Sequence, residues 1–120
     1  MEFKTYKDLE VWKESRVLVK MIYQATQQFP DSEKFGLTNQ MRRCAVSVVS
    51  NIAEGVGRNY SKETVQFLHI AKGSTYELET QIIVANDLAF LNEKQTEELL
   101  SKLDVVKKLL HGFIQYKQKN

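Results

Sequence analysis

Very little in this sequence stops a helix. Proline occurs once, at Pro30, and glycine five times in 120 residues. Sheets need many turns, and turns draw heavily on these two residues, so their scarcity favours a few long helices. The apolar period agrees. Between Ser61 and about Leu91, the residues Leu68, Ala71, Thr75, Leu78, Ile82, Ala85 and Ala89 recur at alternating steps of three and four. That is an unbroken heptad-like seam, the mark of a long helix with one buried face.

Three more segments carry the same signature. From about Asp8 to Gln28, the stripe is Val11, Ser15, Leu18, Ile22, Ala25 and Phe29, widened by Trp12 and Val19. Asp8 is its expected N-cap and Pro30 its stop. From about Leu37 to Gly55 the stripe is Leu37, Met41, Cys44, Val48 and Ile52. Ala45, Ser47, Ser50 and Ala53 are small enough to let neighbouring helices come close, and Gly55 and Gly57 are read as the terminus. Ser61 is the expected cap of the third helix, with Glu63 near its positive dipole end. Asn92 breaks the third pattern and caps the fourth helix, with Gln95 completing a capping box. Leu99, Leu103, Val106, Leu110 and Phe113 follow as its stripe, and the tail Lys117-Gln118-Lys119-Asn120 is expected to fray. Four amphipathic helices with short connections predict an all-α, antiparallel up-down-up-down four-helix bundle, one domain over residues 1–120. The strands that a Rossmann or P-loop site needs are not expected.

Charge and cysteine content narrow the setting. The net charge is +2, which neither demands nor excludes a nucleic-acid partner, because a local patch can outweigh the total. Cys44 is the one cysteine, so no intrachain disulfide can form. The start, Met1-Glu2-Phe3-Lys4, lacks the layout of a signal peptide, and no apolar run is long enough for a bilayer. A soluble, cytoplasmic protein with no membrane contact is expected.

Catalytic and metal chemistry find little support. A di-iron bundle needs Glu-x-x-His pairs, but Gln66 precedes His69 by three and Lys108 precedes His111 by three. Neither Cys-x-x-Cys nor His-Glu-x-x-His occurs, so no metal and no cofactor are expected. Cys44 falls on a core stripe and reads as a small buried residue. Glu54, Glu77 and Glu79 read as solvated or paired helix carboxylates. Gly55-x-Gly57 lacks the strand of a phosphate loop. The expectation is a protein that is not an enzyme.

Two features go beyond the core. Tyr76, Ile83 and Phe90 are spaced by seven on the third helix, roughly opposite its seam, and His69 and Gly73 share that face. Scattered surface apolar residues are normal, but a stripe of this kind reads as a contact with a second copy. The second feature is basic. Arg42 and Arg43 lie on the second helix, Arg58 and Lys62 flank the Asn59-Tyr60-Ser61 loop, and Lys72 lies further along the third helix. Guanidinium, amide, aromatic and hydroxyl groups together suit phosphates and unstacked bases. Taken alone these charges read as solvated; a ring of identical subunits would multiply them into a patch.

The motifs in between are recognisable. They are Asp8-Leu9-Glu10-Val11-Trp12, Phe29-Pro30, Phe35-Gly36-Leu37-Thr38, Gln40-Met41-Arg42-Arg43 and, most specific, Ser50-Asn51-Ile52-Ala53-Glu54-Gly55 with Gly57-Arg58. Lys62-Glu63, Phe67-Leu68, Ile70-Ala71, Glu77-Leu78-Glu79 and Gln81 continue the set. Over nearly its whole length the chain resembles the four-helix-bundle family encoded by intervening sequences of bacterial 23S ribosomal RNA genes. That family is similar to the accessory protein of diversity-generating retroelements. The resemblance implies a homopentamer, a role with RNA or DNA, a possible reverse transcriptase partner and no catalysis. Val49 stands where many relatives have proline, and Ala89-Phe90 where Gly-Tyr is common. The function expected from residues and resemblance together is an oligomeric scaffold binding nucleic acid through Arg42, Arg43, Arg58, Lys62 and Lys72. The alternative is a protein-docking module without direct nucleic-acid contact.

Overall fold

The computed structural model describes residues 4–119; the Met1–Phe3 start and Asn120 lie outside the described residues. Helix α1 spans Glu10–Thr26, α2 Leu37–Val56, α3 Ser61–Asp87 and α4 Glu93–Gln118, with single 3-10 turns at Tyr6–Asp8 and Asp31–Glu33. No strand occurs among the described residues. Each helix packs on two neighbours, in the cyclic order α1, α2, α3, α4. The result is the expected antiparallel bundle, 45 × 25 × 20 Å.

The stripes meet in one core. Leu18, Ile22, Met41, Val48, Ile52, Leu68, Leu78, Ile82, Val106 and Leu110 are completely inaccessible. Burying each such side chain stabilises the fold by about 1.5–3 kcal/mol. Ser15 and Thr75 sit on core stripes without cost in unmet hydrogen bonds. Their hydroxyls donate within their own helices, to the carbonyls of Val11 at 2.6 Å and Lys72 at 2.6 Å. Two buried oxygens, Thr38 Oγ1 and Gln81 Oε1, have no such partner.

Of the small residues of α2, Ala45 is completely buried and Ser47 reaches α3, while Ser50 is exposed. Gly55 is buried, and a Cβ there would lie 2.8 Å from the Cβ of Phe67 on α3. The close approach lets Thr64 donate its hydroxyl to the Gly55 carbonyl at 2.7 Å. Further along, Ser47 and Ser74 share a 3.0 Å hydrogen bond, and the Cys44 thiol donates to the Ser74 carbonyl at 3.1 Å. Gly55 therefore lies inside α2, and Gly57 is its C-cap.

Several ends differ from expectation for local reasons. Asp8 does not cap α1. Its carboxylate accepts from the Lys4 and Thr5 amides at 2.9 and 3.1 Å, closing a capping box on the preceding 3-10 turn. The N-cap of α1 is Leu9, whose side chain is in the core instead of capping. Helix α1 ends at Thr26, four residues short of Pro30. Ser61 is the first residue of α3, and Tyr60 holds the cap position without a side-chain hydrogen bond. Helix α3 stops at Asp87, not near Leu91. Ala89 takes φ 63°, and the Phe90 and Ala89 amides donate back to the Ala85 and Asn86 carbonyls at 2.9 Å each. This is a Schellman terminus, in which glycine normally holds the left-handed position. Ala89 is therefore exposed and off the core seam. Asn92 and Gln95 do form the expected box at the start of α4, with bonds of 2.8 and 3.0 Å. The lysine-rich tail stays helical through Gln118.

Candidate functional site

The five basic candidates fall in four separate places. Arg42 bridges helices. Its Nε donates to Thr26 Oγ1 at 2.8 Å, its Nη2 reaches the Tyr23 carbonyl at 3.4 Å, and its guanidinium lies 4.6 Å from the Tyr23 ring centre. Those contacts fasten α2 to α1, as a planar guanidinium stacked on an aromatic face does well. Arg43, next in sequence, is exposed and forms no ion pair with the described residues. It lines an α2–α3 groove of about 470 Å³ with Gln40, Ser47, Ser74 and Glu77.

Arg58 sits at the opposite end of the bundle. From Arg43 to the end of α2 at Val56 the helix rises about 20 Å, and Arg58 lies beyond that end. Its Nη2 pairs with Glu54 at 2.8 Å and its guanidinium covers the Phe67 ring at 4.6 Å. Both partners are about half exposed, and pairs of that kind contribute about 0–1 kcal/mol. A phosphate can compete for the arginine. Lys62 is exposed in the first turn of α3, at the same end.

Lys72 is half-buried in a cleft between α3 and α4 of about 390 Å³. Lys107, Lys108 and His111 face it from α4, with Tyr76 and Asp104 also lining the space. Lys107 Nζ donates to Glu79 at 3.1 Å and lies 5.0 Å from the Tyr76 ring centre. Lys108 pairs with Asp104 at 3.0 Å. The α4 members of this cleft escaped the sequence reading. The signal was present as Lys107-Lys108 followed by His111 on one side of a helix, but only the docking of α3 against α4 adds Lys72.

The second apolar stripe is partly as expected. On the outward side of α3, Tyr76 is 51% and Ile83 47% exposed, and His69 and Gly73 lie beside them. Phe90 lies elsewhere. It is half-buried beyond the helix end, its ring 5.4 Å from that of Phe29. The exposed surface has members that were not anticipated, Ile70 at 53%, Leu88 at 53% and Val84. A Cβ on Gly73 would meet nothing within 4 Å.

Cys44 carries a shifted titration. Burial, with Glu77 nearby, pushes its thiol up to about 12. Such a thiol is not a nucleophile at neutral pH. Among the described residues, no group of three or more His, Cys, Asp or Glu could hold a metal ion, and no helix is long and apolar enough to cross a membrane.

Comparison with known proteins agrees with the architecture. The family described as 23S rRNA-intervening sequence protein matches residues 7–112. A solved structure of a protein with unknown function from the S23 ribosomal protein family of Bacteroides thetaiotaomicron superposes with a TM-score of 0.78. The match is 20% identical and covers 87% of this chain and 97% of that one. At that identity the likeness is one of fold. No protein with a curated description matches the sequence.

Proposed function

The chain belongs to the family of 23S rRNA-intervening sequence proteins, and from that premise we propose that it is a non-enzymatic subunit of a homo-oligomer, a ring of five, that binds RNA or DNA through basic surface. The observation that carries this reading is the uncovered apolar side of α3. Ile70, Ile83 and Val84 on α3 and Leu88 at its C-cap are exposed, with Tyr76 half-exposed at their edge beside Lys107, while the opposite side of the same helix is buried. These apolar side chains are interleaved with exposed Gln66, His69, Glu77, Thr80 and Asp87, a mixed surface of the kind that contact sites use. Closed rings of identical subunits supply that cover and repeat each basic group around the axis. Five copies is what the family resemblance implies.

The nucleic-acid contacts fall to Arg43, Arg58, Lys62 and Lys72, while Arg42 holds α1 to α2. Recognition of this kind is electrostatic and largely blind to sequence, so affinity falls steeply with salt. Three helix carboxylates are held in ion pairs, which supports a non-catalytic role. Glu14, Glu54 and Glu79 are each engaged by a lysine or arginine.

A protein-docking role without nucleic acid has one observation in its favour. Phe35, in the connection before α2, is 85% exposed with the Lys34 ammonium 5.6 Å from its ring centre. An aromatic ring presented this way suits a protein partner, and the resemblance names a reverse transcriptase. Two measurements separate the readings. Light scattering gives the mass, and fluorescence anisotropy with labelled single-stranded DNA and hairpin RNA gives affinity against salt. The nucleic-acid reading expects binding at low salt with a steep negative slope. No binding to either probe at low salt overturns it and leaves the docking role.

A further inference from the structure

The small net charge hides a strong polarity along the bundle. The half holding the α2–α3 connection comprises residues 4–17, 47–74 and 106–119, with eleven lysines and arginines against five acidic residues. The other half, residues 18–46 and 75–105, has six against nine. An anionic polymer is drawn to the first half and repelled from the second, and a concave surface there concentrates the effect.

The α3–α4 cleft opens at the boundary of the two halves, with Lys72, Lys107, Lys108 and His111 from the basic half and Thr75, Tyr76 and Asp104 from the other. Lys72 is half-buried on its α3 wall and forms no ion pair with the described residues. A partly desolvated ammonium without a counter-ion favours an anion supplied from outside. Lys108 faces it from α4 and pairs with Asp104, the two side chains being 78% and 56% exposed. Such a pair yields readily to a phosphate. Lys107 is fixed by Glu79 against the Tyr76 ring, so it shapes the wall while keeping its charge beside the cleft. His111 adds ring N–H donor capacity at the same opening.

We propose that this cleft seats the sugar–phosphate backbone of a nucleic-acid strand, with Lys72 and Lys108 contacting phosphate from opposite walls. The proposal rests on the nucleic-acid reading above and locates its principal contact on α3 and α4, not on the arginines of α2. Asp104 opposes the strand and keeps the empty cleft from being more positive.

The test is anisotropy with a labelled 20-nucleotide single-stranded DNA and an RNA of the same sequence, titrated from 50 to 200 mM salt. Four proteins are compared: the natural chain, Lys72→Gln with Lys108→Gln, Asp104→Asn, and Arg43→Gln with Arg58→Gln. Glutamine keeps most of each stem, and circular dichroism checks that the helices persist. The lysine pair should weaken binding at least tenfold and lower the logarithmic salt slope by about 1.4, from about 0.7 per phosphate contact on a single strand. Asp104→Asn should tighten binding several-fold. If the lysine pair binds as the natural chain does while the arginine pair loses affinity, the cleft is not the site and the broader reading stands. If the natural chain binds neither strand, both fall together.

Discussion

The Cβ of Phe67 on α3 lies where only a hydrogen on Gly55 of α2 can face it. An added Cβ would stand 2.8 Å from it and 3.1 Å from the Thr64 carbonyl. Both are atoms near or in the backbone, so relief requires the helices to move apart. Gly55→Ala gains about 1 kcal/mol of helix propensity but pays overpacking of about 1–3 kcal/mol. It should therefore lower stability by up to about 2 kcal/mol in urea unfolding, and the Thr64–Gly55 hydrogen bond should lengthen. A raised urea midpoint would contradict the close approach.

Ala89 has the opposite sensitivity. Its φ of 63° is a left-handed conformation that costs an L-residue about 1–2 kcal/mol. Glycine carries no such strain but loses about 0.5–1 kcal/mol more entropy on folding. Ala89→Gly should raise stability by about 0.5–1 kcal/mol, read as a higher Tm. A lower Tm would mean that Ala89 is not held in that conformation.

Cys44 ties stability to alkaline pH. The folded thiol titrates near 12 against 9.0 for an ordinary cysteine, chiefly through burial. Above about pH 9 the unfolded chain loses this proton while the folded chain keeps it. The unfolded state then binds fewer protons, so stability is intact below 9 and falls as pH rises toward 12, by about 1.4 kcal/mol per unit. Alkaline pH acts on more than one kind of group, so Cys44→Ala serves as the reference. The stability difference between the two proteins should shrink between pH 8 and 10.5. A constant difference would remove Cys44 as the cause.

The core was legible because burial in a bundle repeats with the helix period. Leu18, Met41, Leu78 and Leu110 sit where spacing alone placed them. The helix ends were less so, because a cap is decided by competing local bonds. Asp8 has cap chemistry, yet the upstream amides of Lys4 and Thr5 take its carboxylate. Ala89 continues the seam in spacing, yet the chain turns there to deliver Phe90 onto Phe29. The candidate surfaces were legible only in part. A sequence marks Arg42 as basic but cannot reveal that Tyr23 and Thr26 hold it. Nor does it bring Lys72 opposite Lys108, which takes two helices docked in register.

In the proposed ring, the outward side of α3 is the interface between copies of this chain. Gly73 allows a direct test, since nothing lies within 4 Å of a Cβ added there. Gly73→Arg should therefore leave one folded bundle undisturbed while blocking any copy seated on that side. Light scattering at micromolar concentration should give about 70 kDa for the natural chain, five copies of 13.9 kDa, and a single-chain mass for the variant with its helical content intact. A natural chain that scatters as a monomer, or a variant that assembles unchanged, would contradict the central claim.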